Sequence, residues 1–194
     1  PFPASGRLAF LTSAHGKGNL GGWPVAAGAT GLAAGDAICR NLATAAGIRQ
    51  PGSFTAWLSA AGTNAIDRFD HEGPWMRLDG IEVAASLQDL TDDALASPIN
   101  LTETGTYLNN WAVWTGTLGA GWEGPSHCAS WIEDSAASLG EYGFANSADQ
   151  TWTFGGEAGC NFEWGYLYCL QNLPLLFFDG FESAGTHAWS GAVP

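Results

Sequence analysis

Apolar positions in this chain fall into short runs separated by glycine-rich stretches, a rhythm that predicts brief strands joined by long connections. Residues 7–12, RLAFLT, alternate well enough for a first strand, and residues 14–35 read as a Gly-rich surface loop. Asp36 is placed to cap a helix running to about Ala46, with Ile38, Leu42 and Ala45 as its apolar stripe beside Cys39 and Gly47 at its end. SFTAWLS (53–59) reads as a strand with Phe54, Ala56 and Leu58 on one face and Trp57 on the other. WMRLDGIEVA (75–84) reads as a hairpin turning at Asp79-Gly80. Thr91 is placed to cap a short helix at 92–96 that ends before Pro98. WAVWTGT, HCASWIE, TWTF and GYLYCLQ follow as short Trp-rich strands. The expected class is α+β: one or two helices, short twisted antiparallel strands and long loops.

Composition narrows this. With 194 residues, 46% hydrophobic and 13% charged, the chain has material for one domain with a sizeable core, and no apolar run approaches the roughly 18 residues a membrane span needs. The net charge of −13 argues against a phosphate backbone as partner. All six basic residues lie in the first 77 positions beside four acidic ones, while residues 78–194 hold fifteen acidic residues and no Lys or Arg. That asymmetry has three readings: solubility, a structural calcium ion held by clustered carboxylates, or head-to-tail attraction in an oligomer. No D-x-[DN]-x-[DN]-G loop marks a calcium site, and Lys17 does not follow its glycines as a phosphate-cradling motif requires. The start at Pro1 reads as a mature or trimmed product. Four cysteines without a C-x-x-C spacing predict two disulfides and an oxidising compartment, with three pairings open. The four histidines are scattered singly, and Asn100-Leu101-Thr102 is a glycosylation sequon.

The string GLAAGDAICRNLATAAGIRQPGSFTAWLS resembles the helix and following strand of the endostatin-like branch of the C-type-lectin-like fold. WMRLDGIEVA, VWTGT, HCASW and GCNFEWGYLYCLQ fall in the order of that family's later strands. The chain resembles a bacterial domain family of secreted leptospiral and myxobacterial proteins related to endostatin. The resemblance divides the chain into an N-terminal arm (1–6), a C-type-lectin-like domain (7–171) and an apolar tail (172–194). It implies the pairings Cys39–Cys169 and Cys128–Cys160, first cysteine with fourth and second with third.

Sugar-binding C-type lectins hold calcium with a Glu-Pro-Asn type loop and a Trp-Asn-Asp strand. Trp122-Glu123-Gly124-Pro125 and Asn161-Phe162-Glu163-Trp164 lie in comparable regions and match neither pattern. Endostatin's zinc needs an N-terminal histidine cluster, which His15 alone does not supply. Trp23, Trp122 and Trp164, in or beside Gly-rich loops, are candidates for stacking on a sugar face, with Glu123, Asn161 and Glu163 as their polar neighbours. Catalysis has no counterpart in the sequence: G-x-S-x-G, H-E-x-x-H and a spare cysteine are all missing, so the protein is expected not to be an enzyme.

The termini carry the remaining signal. Leu175, Leu176, Phe177 and Phe178 form a continuous apolar run before Asp179-Gly180 and Phe181, and a strand apolar on both faces must be covered on both. Phe2 lies in the short N-terminal arm. The tail either folds back on its own domain or adds to a neighbouring copy, the second route propagating a fibre. The expectation is a non-catalytic secreted bacterial surface protein, structural or adhesive, that self-associates through its arms without nucleic acid or a membrane span. The alternative is a monomeric extracellular module recognising glycan or protein, and a third reading is a hydrolase without a localised site.

Overall fold

The computed structural model describes residues 6–70 and 72–173. They form an α+β fold with two sheets. The first has five strands: β1 (Arg7–Leu11), β2 (Phe54–Ala56), β3 (Trp75–Arg77), β4 (Glu82–Ala84) and β8 (Tyr168–Gln171), in the order β2-β8-β1-β3-β4. Only β1 and β3 run parallel. The second sheet is antiparallel and pairs β5 (Ala112–Trp114), β6 (Leu139–Phe144) and β7 (Gly156–Gly159) in that order.

The alternation along β1 explains why the large sheet is covered twice. Leu8 and Phe10 join one apolar cluster with helix α1 (Gly31–Ala45), while Ala9 and Leu11 join a second with Trp57, Trp75 and Tyr168. The division expected for 53–59 holds: Phe54, Ala56 and Leu58 pack in the first cluster and Trp57 in the second. Only 54–56 pair as a strand, however.

Several boundaries differ from expectation. Helix α1 begins at Gly31, five residues before Asp36. Asp36 is therefore no cap; its Oδ1 accepts from the Ala56 N–H at 2.9 Å and from Arg68 Nη2 at 2.7 Å, tying the helix to β2. The end is as expected, with Gly47 at φ +67° and the Ile48 N–H returning to the Ala43 carbonyl at 2.9 Å. The short helix α2 falls at Leu87–Leu90 rather than 92–96, because Ser86 Oγ accepts from the Asp89 N–H and Asp89 reaches back to the Ala85 N–H, a reciprocal cap. HCASWIE does not form a strand: Cys128, Ala129, Ser130 and Trp131 take φ between +49° and +67°, one left-handed turn. TWTF forms a 3₁₀ turn at Gln150–Trp152. The 75–84 hairpin forms, with a register shift between Trp75 and Met76.

Two disulfides close the frame, Cys39–Cys169 from α1 to β8 and Cys128–Cys160 from the left-handed turn to the end of β7. The turn needs that support, since a non-glycine residue in the left-handed helical region costs about 1–2 kcal/mol. His127 Nδ1 accepting from the Ser130 N–H at 2.9 Å and Ser59 O accepting from Trp131 Nε1 at 2.7 Å hold it from the sides. Among the described residues no helix is long and apolar enough to cross a membrane.

Candidate functional site

One face of the β5–β6–β7 sheet opens to solvent beside the segment that follows the second disulfide. Residues two apart on a strand share a face, so β6 presents Tyr142 and Phe144 together, with Ala112 opposite Phe144 on β5. Ala158 of β7, then Phe162 and Trp164 beyond Cys160, close the far side, and Trp111 stands at the head of β5. These residues enclose a cleft of about 530 Å³. Its rim is polar at Asn110, whose N–H and Oδ1 are engaged by Asn146, and at Glu157.

The cleft walls are aromatic and partly pre-stacked. Trp164 lies against Trp111 on one side (centroids 5.6 Å, 29°) and His15 on the other (4.7 Å, 20°). His15 Nδ1 donates to the Glu163 carbonyl at 2.9 Å, which fixes the end of the stack. Tyr142 and Phe144 meet edge to face at 5.4 Å. The hydrogen bonding separates these two tryptophans from most of the others. The indole N–H groups of Trp23, Trp57, Trp75, Trp114 and Trp131 each have a protein acceptor. Among the described residues those of Trp111 and Trp164 have none, nor do those of Trp122 and Trp152, and of these four only Trp111 and Trp164 line the cleft.

The residues singled out in the sequence scatter over three places. Trp164 lines the cleft and is 48% exposed. Glu163 beside it pairs with Lys17 at 3.7 Å and borders a neighbouring depression of about 320 Å³ with His15. Asn161 is exposed, its Oδ1 near Gly159. Trp23 is 6% exposed and its indole donates to the Lys17 carbonyl, so it closes its own loop rather than offering a ring face. Trp122 is 57% exposed on a separate loop, where Glu123 takes the Gly62 N–H at 2.8 Å and stands 3.5 Å from His127 Nε2. Phe2, Leu175, Leu176, Phe177, Phe178 and Phe181 lie outside the described residues, as does the fibre contact expected of them.

Sequence reasoning missed Trp111, Tyr142, Phe144 and Phe162. The turn-forming pair Asn109-Asn110 ahead of Trp111 was the available signal, since Asn110 takes φ +60° and re-aims the chain there. Tyr142 and Phe144 stand in LGEYGF, where glycine hides the strand.

Two charged groups are strongly displaced. Asp79, on the hairpin turn, is held down to about 2: burial pushes its carboxyl up, but hydrogen bonds from Arg77 and Tyr107 outweigh that. Glu141, on the sheet face opposite the cleft, is pushed up to about 7 by burial and then by the carboxylates of Glu157 and Glu123. Among the described residues no three His, Cys, Asp or Glu side chains come together to hold a metal ion. No family model matches the chain, and a search of the curated proteins finds no match.

Proposed function

We propose that the protein is a non-catalytic extracellular recognition module that holds a sugar ring in the aromatic cleft of its smaller sheet. The observation that carries this reading is the pairing of Trp111 and Trp164, two stacked indoles whose N–H groups have no acceptor among the described residues, with the apolar faces of Tyr142, Phe144 and Phe162. A pyranose has one side rich in C–H groups and a rim of hydroxyls. The cleft offers aromatic surface for the first, and the two indole donors, Asn110 and the Tyr142 hydroxyl for the second. Apolar walls with a few convergent polar groups are the general form of a small-ligand site.

The scaffold supports an extracellular setting. Two disulfides form and persist in oxidising compartments, and the first-to-fourth, second-to-third order is the one the endostatin-like branch of the C-type-lectin-like fold implies. Placing the chain in that branch, and in a secreted bacterial family, is part of this proposal. Trp111→Ala and Trp164→Ala are each expected to weaken retention on a glycan array tenfold or more while leaving the melting curve within a few degrees of wild type. Retention by both variants at wild-type strength sends the ligand elsewhere.

A further inference from the structure

The aromatic cleft does not end at Asn110. A second hollow of about 490 Å³ continues beyond it, and the two share Asn110 and Phe144 in their walls. The end of β6 makes this junction. After Phe144 the chain turns, the Ser147 N–H donating to the Phe144 carbonyl at 3.0 Å, and the residues that follow form the far wall. Asn146, Ser147, Asp149 and Thr151 make that wall as polar as the first hollow is aromatic.

A donor and an acceptor are left over there. Asn110 and Asn146 bond each other twice: Asn146 Oδ1 accepts the Asn110 N–H at 3.2 Å, and Asn146 Nδ2 donates to Asn110 Oδ1 at 3.0 Å. That fixes the Asn110 amide and leaves its Nδ2 without an acceptor among the described residues. Asp149 Oδ1 accepts from Thr151 Oγ1 at 2.6 Å, Ser147 Oγ at 2.7 Å and the Thr151 N–H at 2.9 Å. These bonds, those of Thr151 foremost, hold the carboxyl below its ordinary range, so it is ionised at neutral pH. They also fix its orientation, and Asp149 Oδ2 has no donor among the described residues. A sugar hydroxyl both donates and accepts, so a held amide donor and a held carboxylate acceptor suit neighbouring hydroxyls of one ring.

Charge narrows the ligand further. The walls of the two hollows hold the carboxylates Glu157 and Asp149 and no Lys, Arg or His. No Lys or Arg follows Arg77 anywhere in the chain. A sugar bearing a carboxylate or sulfate would set like charge against like, with no cation in the lining to offset it.

We infer that the cleft takes a neutral oligosaccharide of at least two units, one against the aromatic rings and the next in the polar hollow, where Asn110 and Asp149 select it and turn anionic sugars away. This rests on the reading of the aromatic cleft as a sugar site. The two hollows divide the work. Aromatic surface grips the C–H face of a pyranose with little regard to its hydroxyls. The second hollow discriminates, because a site built to hydrogen-bond hydroxyls penalises a ligand that cannot supply them.

Isothermal titration of the full chain with one-, two- and three-unit gluco-, manno- and galacto-oligosaccharides, each beside the same oligomer ending in a uronic acid, tests it. One series is expected to tighten about tenfold or more from one unit to two, and its uronate-ended counterpart to bind about tenfold more weakly than the neutral chain. Asp149→Asn keeps an oxygen for the Thr151 and Ser147 bonds. It is expected to lose the gain from the second unit and to admit the uronate, with one-unit affinity unchanged. No gain beyond one unit, a uronate bound as tightly as the neutral chain, or a gain that survives Asp149→Asn overturns the second subsite, and one-unit binding then leaves the cleft reading in place. No binding in any series removes both. Nitrogen–proton NMR of the wild type gives a second reading should the variant fail to fold. Amides of residues 146–151 that shift with the two-unit ligand and not with the one-unit ligand support the subsite, and amides that stay still with both overturn it.

Discussion

Replacing Cys39 and Cys169 together with alanine is expected to cost about 5 kcal/mol of stability. The bridge joins residues 130 apart, so it removes the closure entropy of most of the chain from the unfolded ensemble. It also lies where the folded state concentrates its packing. Cys39 is fully buried on α1, and Cys169 sits in the middle of β8, between β1 and β2. The Cys128–Cys160 bridge spans 32 residues, and by the same argument its removal costs about 4 kcal/mol. The order of the two effects is the sharper expectation. Guanidinium unfolding of the two double variants checks it, and greater loss from the shorter loop contradicts it.

Trp114→Ala carries the second large effect, about 3–5 kcal/mol. Trp114 is fully buried at the junction of the two sheets' packing, 6.0 Å from the rings of both Trp131 and Phe162. Its indole donates to the Gly16 carbonyl at 3.0 Å, and removing it leaves that acceptor without its donor. The surrounding backbone is shaped to it: a Cβ on Gly165 would overlap Nε1, and one on Gly140 would stand 2.9 Å from Cζ3. Such a rigid wall collapses little, so a cavity remains. Phe162, which closes the cleft, loses its backing at the same time. Thermal unfolding separates this from the exposed Trp164, whose truncation is expected to shift stability by less than about 1 kcal/mol. Similar losses at both positions would mean that Trp114 is not the keystone its burial makes it.

The parts of the fold written into local pattern were legible. RLAFLT and the 165–171 strand show their alternation openly, and the opposite facing of Trp57 and Phe54 follows from period two alone. Where tertiary contacts decide, the local signal misleads. Glycines at 31 and 35 read as loop, yet Gly35 is in α1 because a Cβ there would lie 2.6 Å from Leu58 Cδ1. LGEYGF and GEAG look too glycine-rich for strands, yet a Cβ at Gly143 would strike the Trp152 carbonyl and one at Gly140 would crowd Trp114. HCASWIE has strand composition and becomes a left-handed turn because the Cys160 bridge, His127 and Ser59 hold it there. The site suffered most from this. Trp164 was legible as an exposed ring beside glycine, but Trp111, Tyr142 and Phe144 reach the same cleft only through the pairing of β5 with β6. Trp23 shows the converse, a loop tryptophan whose indole is spent on the Lys17 carbonyl.

The ten tryptophans make sugar binding at the Trp111–Trp164 cleft directly measurable. In a nitrogen–proton NMR spectrum each indole N–H gives its own signal, and a neutral oligosaccharide is the titrant. The signals of Trp111 and Trp164 are expected to move together on one saturable curve while those of buried Trp57, Trp75 and Trp131 stay in place. Saturable binding that moves Trp122 or Trp23 and leaves Trp111 and Trp164 still would contradict it.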